Sequence, residues 1–171
     1  MSQLKNKVRW CLNKAENELK QNSKHRGLKI VGVDKGKISQ HISKAEHDFN
    51  AGINFHNTGF SDWSASAFFY CIYHCLLAIS MKFGYESRNQ ECTFAIIGSL
   101  IEDEKINFDK SLLDKIFSLE KQNIEESTSI EMREEYQYGT KLSLEDKIYE
   151  ELRRMSVEVL SKTKEIIEGV K

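Results

Sequence analysis

Two short stretches combine residue types that hold anions or stack on bases. In Tyr85-Glu-Ser-Arg-Asn-Gln-Glu-Cys92, Arg88 and Asn89 stand where a helix is expected to begin. The free backbone N–H groups of a helix N-terminus, with a guanidinium beside them, favour a bound phosphate. The plainer alternative is that Arg88 pairs with an acid and Asn89 caps the helix. In Arg133-Glu-Glu-Tyr-Gln-Tyr138, a cation and two aromatic rings cluster in an otherwise polar connection. Arginine and tyrosine together can stack on nucleic-acid bases. Equally, Tyr136 and Tyr138 could anchor the segment to the rest of the fold. Arg88, Asn89, Arg133 and Tyr138 are therefore the candidate contacts for a nucleic acid or nucleotide.

Five histidines are present: His25, His41, His47, His56 and His74. His74 lies on an apolar helical row, where a hydrogen-bonded core histidine is the common outcome. Cys71 and Cys75 are one helical turn apart with His74 between them, but a metal site needs three or four converging ligands. No other Cys/His pair has ligand spacing, so neither metal nor cofactor is expected. The four cysteines, Cys11, Cys71, Cys75 and Cys92, all sit in apolar helical contexts. The opening Met-Ser-Gln-Leu-Lys-Asn-Lys is too polar for a signal peptide. Reduced thiols in a cytoplasmic protein are expected.

Helices must position these residues. The spacing of Leu4, Val8, Cys11, Leu12, Ala15 and Leu19 predicts a first amphipathic helix over 3–22. Residues 27–36 bear three glycines, yet Val33 and Asp34 stand where a phosphate loop needs lysine and a hydroxyl. That stretch reads as a linker or short irregular excursion. A second helix is predicted over Ser39–Asn57 and ended by Thr58-Gly59. A third, capped by Ser61 or Asp62, continues to Lys82 or Phe83. It carries two apolar rows, one through Ala65, Phe69, Ile72, Leu76 and Ile79, the other through Trp63, Ala67, Tyr70, His74 and Leu77. Two such rows predict burial on most sides.

Nineteen residues from Trp63 to Met81 lack a formal charge, long enough to raise a membrane span. The polar Ser64, Ser66, Tyr70, Tyr73 and His74, and the amphipathic flanking helices, favour a central bundle helix instead. Gly84 supplies a stop, and Ser87 with Gln90 reads as a capping box opening a fourth helix that runs to about Glu102. A fifth is predicted from Asp109 to about Glu126. Residues 127–143 read as mostly irregular. Ser143 and Asp146 make a second box-like start, and the last helix covers about 144–168.

The chain of 171 residues has no proline, 40% hydrophobic and 30% charged residues, which describes a soluble globular protein rich in long helices. Its net charge of −1 hides an asymmetry: residues 1–37 carry ten basic against three acidic groups, the remainder fifteen against twenty-three. A basic arm of this kind can meet nucleic acid or dock on the protein's own acidic body. Residues 1–38 form a basic N-terminal helix and linker, and residues 39–171 an all-α, up-and-down antiparallel helical bundle.

From His41 onward the chain resembles the HEPN superfamily of helical proteins. The resemblance rests on Lys44-Ala-Glu-His-Asp-Phe49, Gly59-Phe-Ser-Asp-Trp63 and Phe68-Phe-Tyr-Cys-Ile-Tyr-His-Cys-Leu-Leu-Ala78. It continues through Phe83-Gly-Tyr-Glu-Ser-Arg-Asn-Gln-Glu-Cys-Thr93 and Arg133-x2-Tyr-x-Tyr-Gly139, in the same helix order. It implies a bundle that dimerises, and in many members a metal-independent ribonuclease, often a toxin paired with a minimal nucleotidyltransferase antitoxin. Their active site is an R-x4-6-H motif in which histidine moves a proton and arginine steadies phosphate charge.

This chain departs from that motif. No histidine stands five to seven positions beyond any of its arginines; beyond Arg133 those positions hold Tyr138, Gly139 and Thr140. With an ordinary pKa of about 10, tyrosine is a poor general base at neutral pH. The resemblance thus implies a homodimeric HEPN-like binding protein, acting on RNA or a nucleotide, or as partner of a nucleotidyltransferase. Two alternatives stay open: a metal-independent endoribonuclease with a non-standard site drawing on His47, His56 or His74, and a protein-only interaction module.

Overall fold

The computed structural model describes residues 2–117 and 128–169. Among the described residues, seven helices and two short strands follow one another as α1 (Gln3–Lys20), β1 (Leu28–Ile30), α2 (Lys35–Asn57), α3 (Asp62–Lys82), β2 (Tyr85–Ser87), α4 (Gln90–Glu102), α5 (Lys110–Ile116), α6 (Ser129–Tyr138) and α7 (Asp146–Glu168). The protein is all-α, as its periodicities predict.

The long helices begin and end on local chemistry. Asp34 caps α2 by accepting the Lys37 N–H at 3.0 Å. Gly59, at φ +84°, makes the turn into α3, and Gly84, at φ +80°, turns α3 into β2. α3 is the axis of the fold, with α2, α4, α6 and α7 packed around it. Phe68, Phe69, Ile72, Leu76 and Ile79 on α3 are fully buried. This helix has the length and composition to cross a membrane, but 78% of its most apolar stretch is buried inside the fold. α2 approaches it closely because Gly52 has no side chain: a Cβ there would stand 2.7 Å from the Phe68 ring. The outer row is less covered than expected, since Trp63 is 49% and Tyr70 38% exposed.

Several sequence expectations need correction. The excursion at 27–36 contains β1, which pairs antiparallel with β2 through Leu28↔Ser87, Lys29↔Glu86 and Ile30↔Tyr85. Ser87 consequently lies in a strand, and Asn89 caps α4 by accepting the Cys92 N–H at 3.0 Å. Residues 129–138 are helical rather than irregular. α6 opens on a true capping box, in which the Thr128 hydroxyl accepts the Glu131 N–H and the Glu131 carboxylate accepts the Thr128 N–H. Glu145, not Ser143, precedes α7, without a side-chain cap. Ser61 makes no cap bond either; its hydroxyl accepts the Leu144 N–H at 2.9 Å and ties the entry of α7 to the α2–α3 turn. α5 is described only to Ile116, with Phe117 beyond it, and the rest of its predicted span lies outside the described residues.

The expectation of four reduced thiols also fails. α1 packs on α4 and joins it through a Cys11–Cys92 disulfide, leaving Cys71 and Cys75 as buried free thiols. Two cysteines 81 residues apart meet only because their helices do. Gly98 permits that approach: a Cβ there would meet Leu4 at 2.9 Å.

Candidate functional site

The structure separates the four residues singled out in the sequence. Arg88 follows β2, half exposed, its Nε 3.1 Å from Glu86 Oε1. Asn89 is occupied as the α4 cap, and its carbonyl accepts the hydroxyls of Ser87 and Thr93. The first turn of α4 also carries the acid Glu91, paired with Lys7 at 2.7 Å. Arg133 is only 7% exposed, with its guanidinium 4.8 Å above the centre of the Phe69 ring and Nη2 donating to Glu134 at 3.1 Å. Tyr138 ends α6 and is 74% exposed. Among the described residues no hydrogen bond, ion pair or ring contact joins Arg88 and Asn89 to Arg133 and Tyr138.

A different cluster stands on the α2–α3 face. His41 of α2 and His74 of α3 meet Nδ1 to Nδ1 at 3.0 Å. Both rings are partly buried. For this bond to form between neutral rings, one Nδ1 carries the proton and the other accepts it. The ring that donates then has a bare Nε2, and the ring that accepts has an Nε2–H. The pair as a unit therefore offers an acceptor and a donor.

Charge surrounds the pair on both sides. Lys44 of α2 forms an ion pair with the buried Asp48 at 2.5 Å, and both act electrostatically on His74. Lys37, one turn before His41, lies 3.6 Å from the Glu86 carboxylate. Glu86 in turn holds Arg88 and the buried His25, whose Nε2 is 2.9 Å from Oε1. Glu86 thus links Arg88 to Lys37, and Lys37 acts electrostatically on His41. Tyr70 lies one turn from His74 with its ring edge-on to Phe69. Tyr73 stacks parallel on Phe69, and its hydroxyl lies 3.4 Å from Thr93.

Burial and nearby positive charge disfavour protonation of the pair. His41 is lowered to about 4, first by burial, then by His74 and Lys37. His74 is lowered by burial, with Asp48 opposing and Lys44 assisting. Glu86 is held below the ordinary carboxylate range by its hydrogen bond with His25, helped by Arg88 and Lys37. Both imidazoles are neutral at pH 7. An arriving anion would act in the same direction as Asp48, against the effects of burial and the lysines.

The Cys71–His74–Cys75 spacing gathers no metal site. Among the described residues, no group of three or more His, Cys, Asp or Glu side chains could hold a metal ion. The two thiols are buried instead, and a hydrogen bond to Cys75, reinforced by burial, pushes the Cys71 thiol far up.

His41 is the candidate site residue that the sequence reading does not single out. Its partner is 33 residues away on another helix, so no local spacing marks it. The expectation of a hydrogen-bonded His74 holds, although the ring is partly rather than fully buried.

Compared with protein-family models, residues 38–168 match the HEPN domain. A comparison with curated proteins gives no match.

Proposed function

The chain belongs to the HEPN family, and on that premise we propose that it binds single-stranded RNA along the α2–α3 face without cleaving it. The observation that carries this reading is the His41–His74 pair, set between Lys37 and Lys44 and beside exposed Tyr70. The lysines and Arg88 would meet phosphates, and Tyr70 would stack on a base. The histidine pair would meet a phosphate or ribose hydroxyl with its donor and acceptor nitrogens. In this reading Asn89 fixes the helix that positions Arg88. Arg133 and Tyr138 would serve a second contact on α6. A homodimer, and a nucleotidyltransferase-type protein as partner, belong to the same proposal through the family.

Cleavage is the second reading, because a hydrogen-bonded histidine pair could move a proton from a 2′-hydroxyl and return one to the leaving oxygen. Binding is preferred on basicity. A histidine lowered to about 4 is a much weaker base than ordinary imidazole, and the neutral pair is a poor acid at pH 7.

The test is fluorescence anisotropy of a short labelled RNA with the full chain in EDTA, with a denaturing gel run on the same samples. Saturable binding without new RNA ends is expected, weakened about tenfold by Tyr70→Ala through lost stacking. Cleavage lost in both His41→Ala and His74→Ala would replace this proposal with the nuclease. Absence of both binding and cleavage would leave a protein-only module.

A further inference from the structure

A cavity of about 510 Å³ opens where the start of α2 meets the ends of α3 and α7. Ile38 and Ile42 of α2, Ile167 of α7 and Val33 make an aliphatic lining, and Lys35, Lys82 and Lys164 stand in its wall. At 3.6 residues per turn, Ile38 and Ile42 project roughly a third of a turn round α2 from Lys37, His41 and Lys44, so the cavity opens beside the histidine face rather than on it. Its volume falls in the range of small-molecule sites.

The charges are unequal. Lys164 is matched by Glu46 at 2.6 Å, and Glu168 is the acid in the lining. Lys35 and Lys82 form no ion pair among the described residues, which leaves a positive surplus. Asp34 caps the start of α2 with its carboxylate, so the surplus comes from the two lysines and not from the helix terminus. The Ser39 hydroxyl adds a hydrogen-bonding group. Among the described residues no aromatic ring lines the cavity, so they offer no platform for a nucleobase.

We propose that this cavity binds an aliphatic anion, a hydrocarbon chain ending in a carboxylate or a phosphate, with the chain against Ile38, Ile42 and Ile167 and the head between Lys35 and Lys82. The chain supplies hydrophobic transfer, and the lysines select the charge of the head. This site is independent of the RNA-binding reading.

The experiment is isothermal titration of the full-length protein with decanoate and decyl phosphate below their micelle concentrations, with decanol and decyltrimethylammonium as neutral and cationic controls. Saturable binding of one or both anions is expected, and their ratio identifies the preferred head. Affinity should rise about fourfold per added methylene across hexanoate, octanoate and decanoate. Lys82→Gln should weaken decanoate about tenfold. Ile42→Trp, which fills the lining, should abolish binding while circular dichroism stays unchanged. The chain-length series on the unaltered protein stands even if that variant fails to fold. No saturable binding, equal affinity for decanol and decanoate, or indifference to Lys82→Gln would each overturn the proposal.

Discussion

Cys11 on α1 and Cys92 on α4 are disulfide-bonded with their Cα atoms 5.8 Å apart, and both are fully buried. The bond fastens the N-terminal helix to the family domain, alongside the Lys5–Asp103 and Lys7–Glu91 ion pairs at 2.6 and 2.7 Å. Exposed ion pairs of that kind contribute little. The covalent link outweighs those ion pairs and adds to the packing of Val8 and Leu12 against the core.

Reduction should therefore cost stability. Closing a loop of this length restricts the unfolded chain, and its loss should lower stability by about 2–4 kcal/mol. Urea unfolding with and without a thiol reductant measures it. A Cys11→Ala/Cys92→Ala double variant should respond to reductant no more than its own baseline. Equal stability of oxidised and reduced wild-type protein would contradict the assignment.

The histidine pair predicts a pH dependence. Because folding lowers His41 from about 6.5 to about 4, the unfolded chain binds more protons between those values. Its contribution is present above the unfolded pKa, falls as pH drops through that window, and levels off below it. With the ring partly exposed and screened by solvent, the change should be about 1 kcal/mol. His74, also lowered, acts in the same direction. Denaturation midpoints across that window should slope less in His41→Asn than in the wild type.

Gly52 is a steric prediction. Any side chain there meets the Phe68 ring, so Gly52→Ala should destabilise the α2–α3 contact by about 1–3 kcal/mol despite alanine's higher helix propensity. Pairing it with Phe68→Leu should recover part of the loss by removing the clash. Chemical denaturation of both variants decides, and a neutral Gly52→Ala would show that α2 can withdraw at no cost.

Arg133 separates packing from recognition. Its guanidinium covers Phe69 while Nε has no partner among the described residues. Arg133→Ala should therefore lower stability by about 1–3 kcal/mol through lost packing and cation–π contact. Arg133→Met, which keeps most of the stem, should lose less. RNA anisotropy, corrected for the folded fraction, tests the second contact proposed on α6: equal affinity would remove Arg133 from it.

By itself the sequence determined the helices that local chemistry defines, and it determined the family. Phe69, Ile72, Leu76 and Ile79 recur at the spacing of one buried helix face, and Gly59 and Gly84 stand where the chain must turn with positive φ. These signals lie within a few residues of what they specify. The Thr128-x-x-Glu131 box is a local signal too, yet residues 127–143 read as irregular from their polar composition, and α6 packs on α3.

What only the tertiary structure decided joins residues far apart in the chain. Leu28 finds Ser87, Cys11 finds Cys92, and His41 finds His74 because packed helices bring them together. The same packing set Arg133 against Phe69 and left Tyr70 at the surface. Periodicity marks which face of a helix is apolar, but not which helix will cover it. The candidate site lies where α2 leaves part of α3 uncovered.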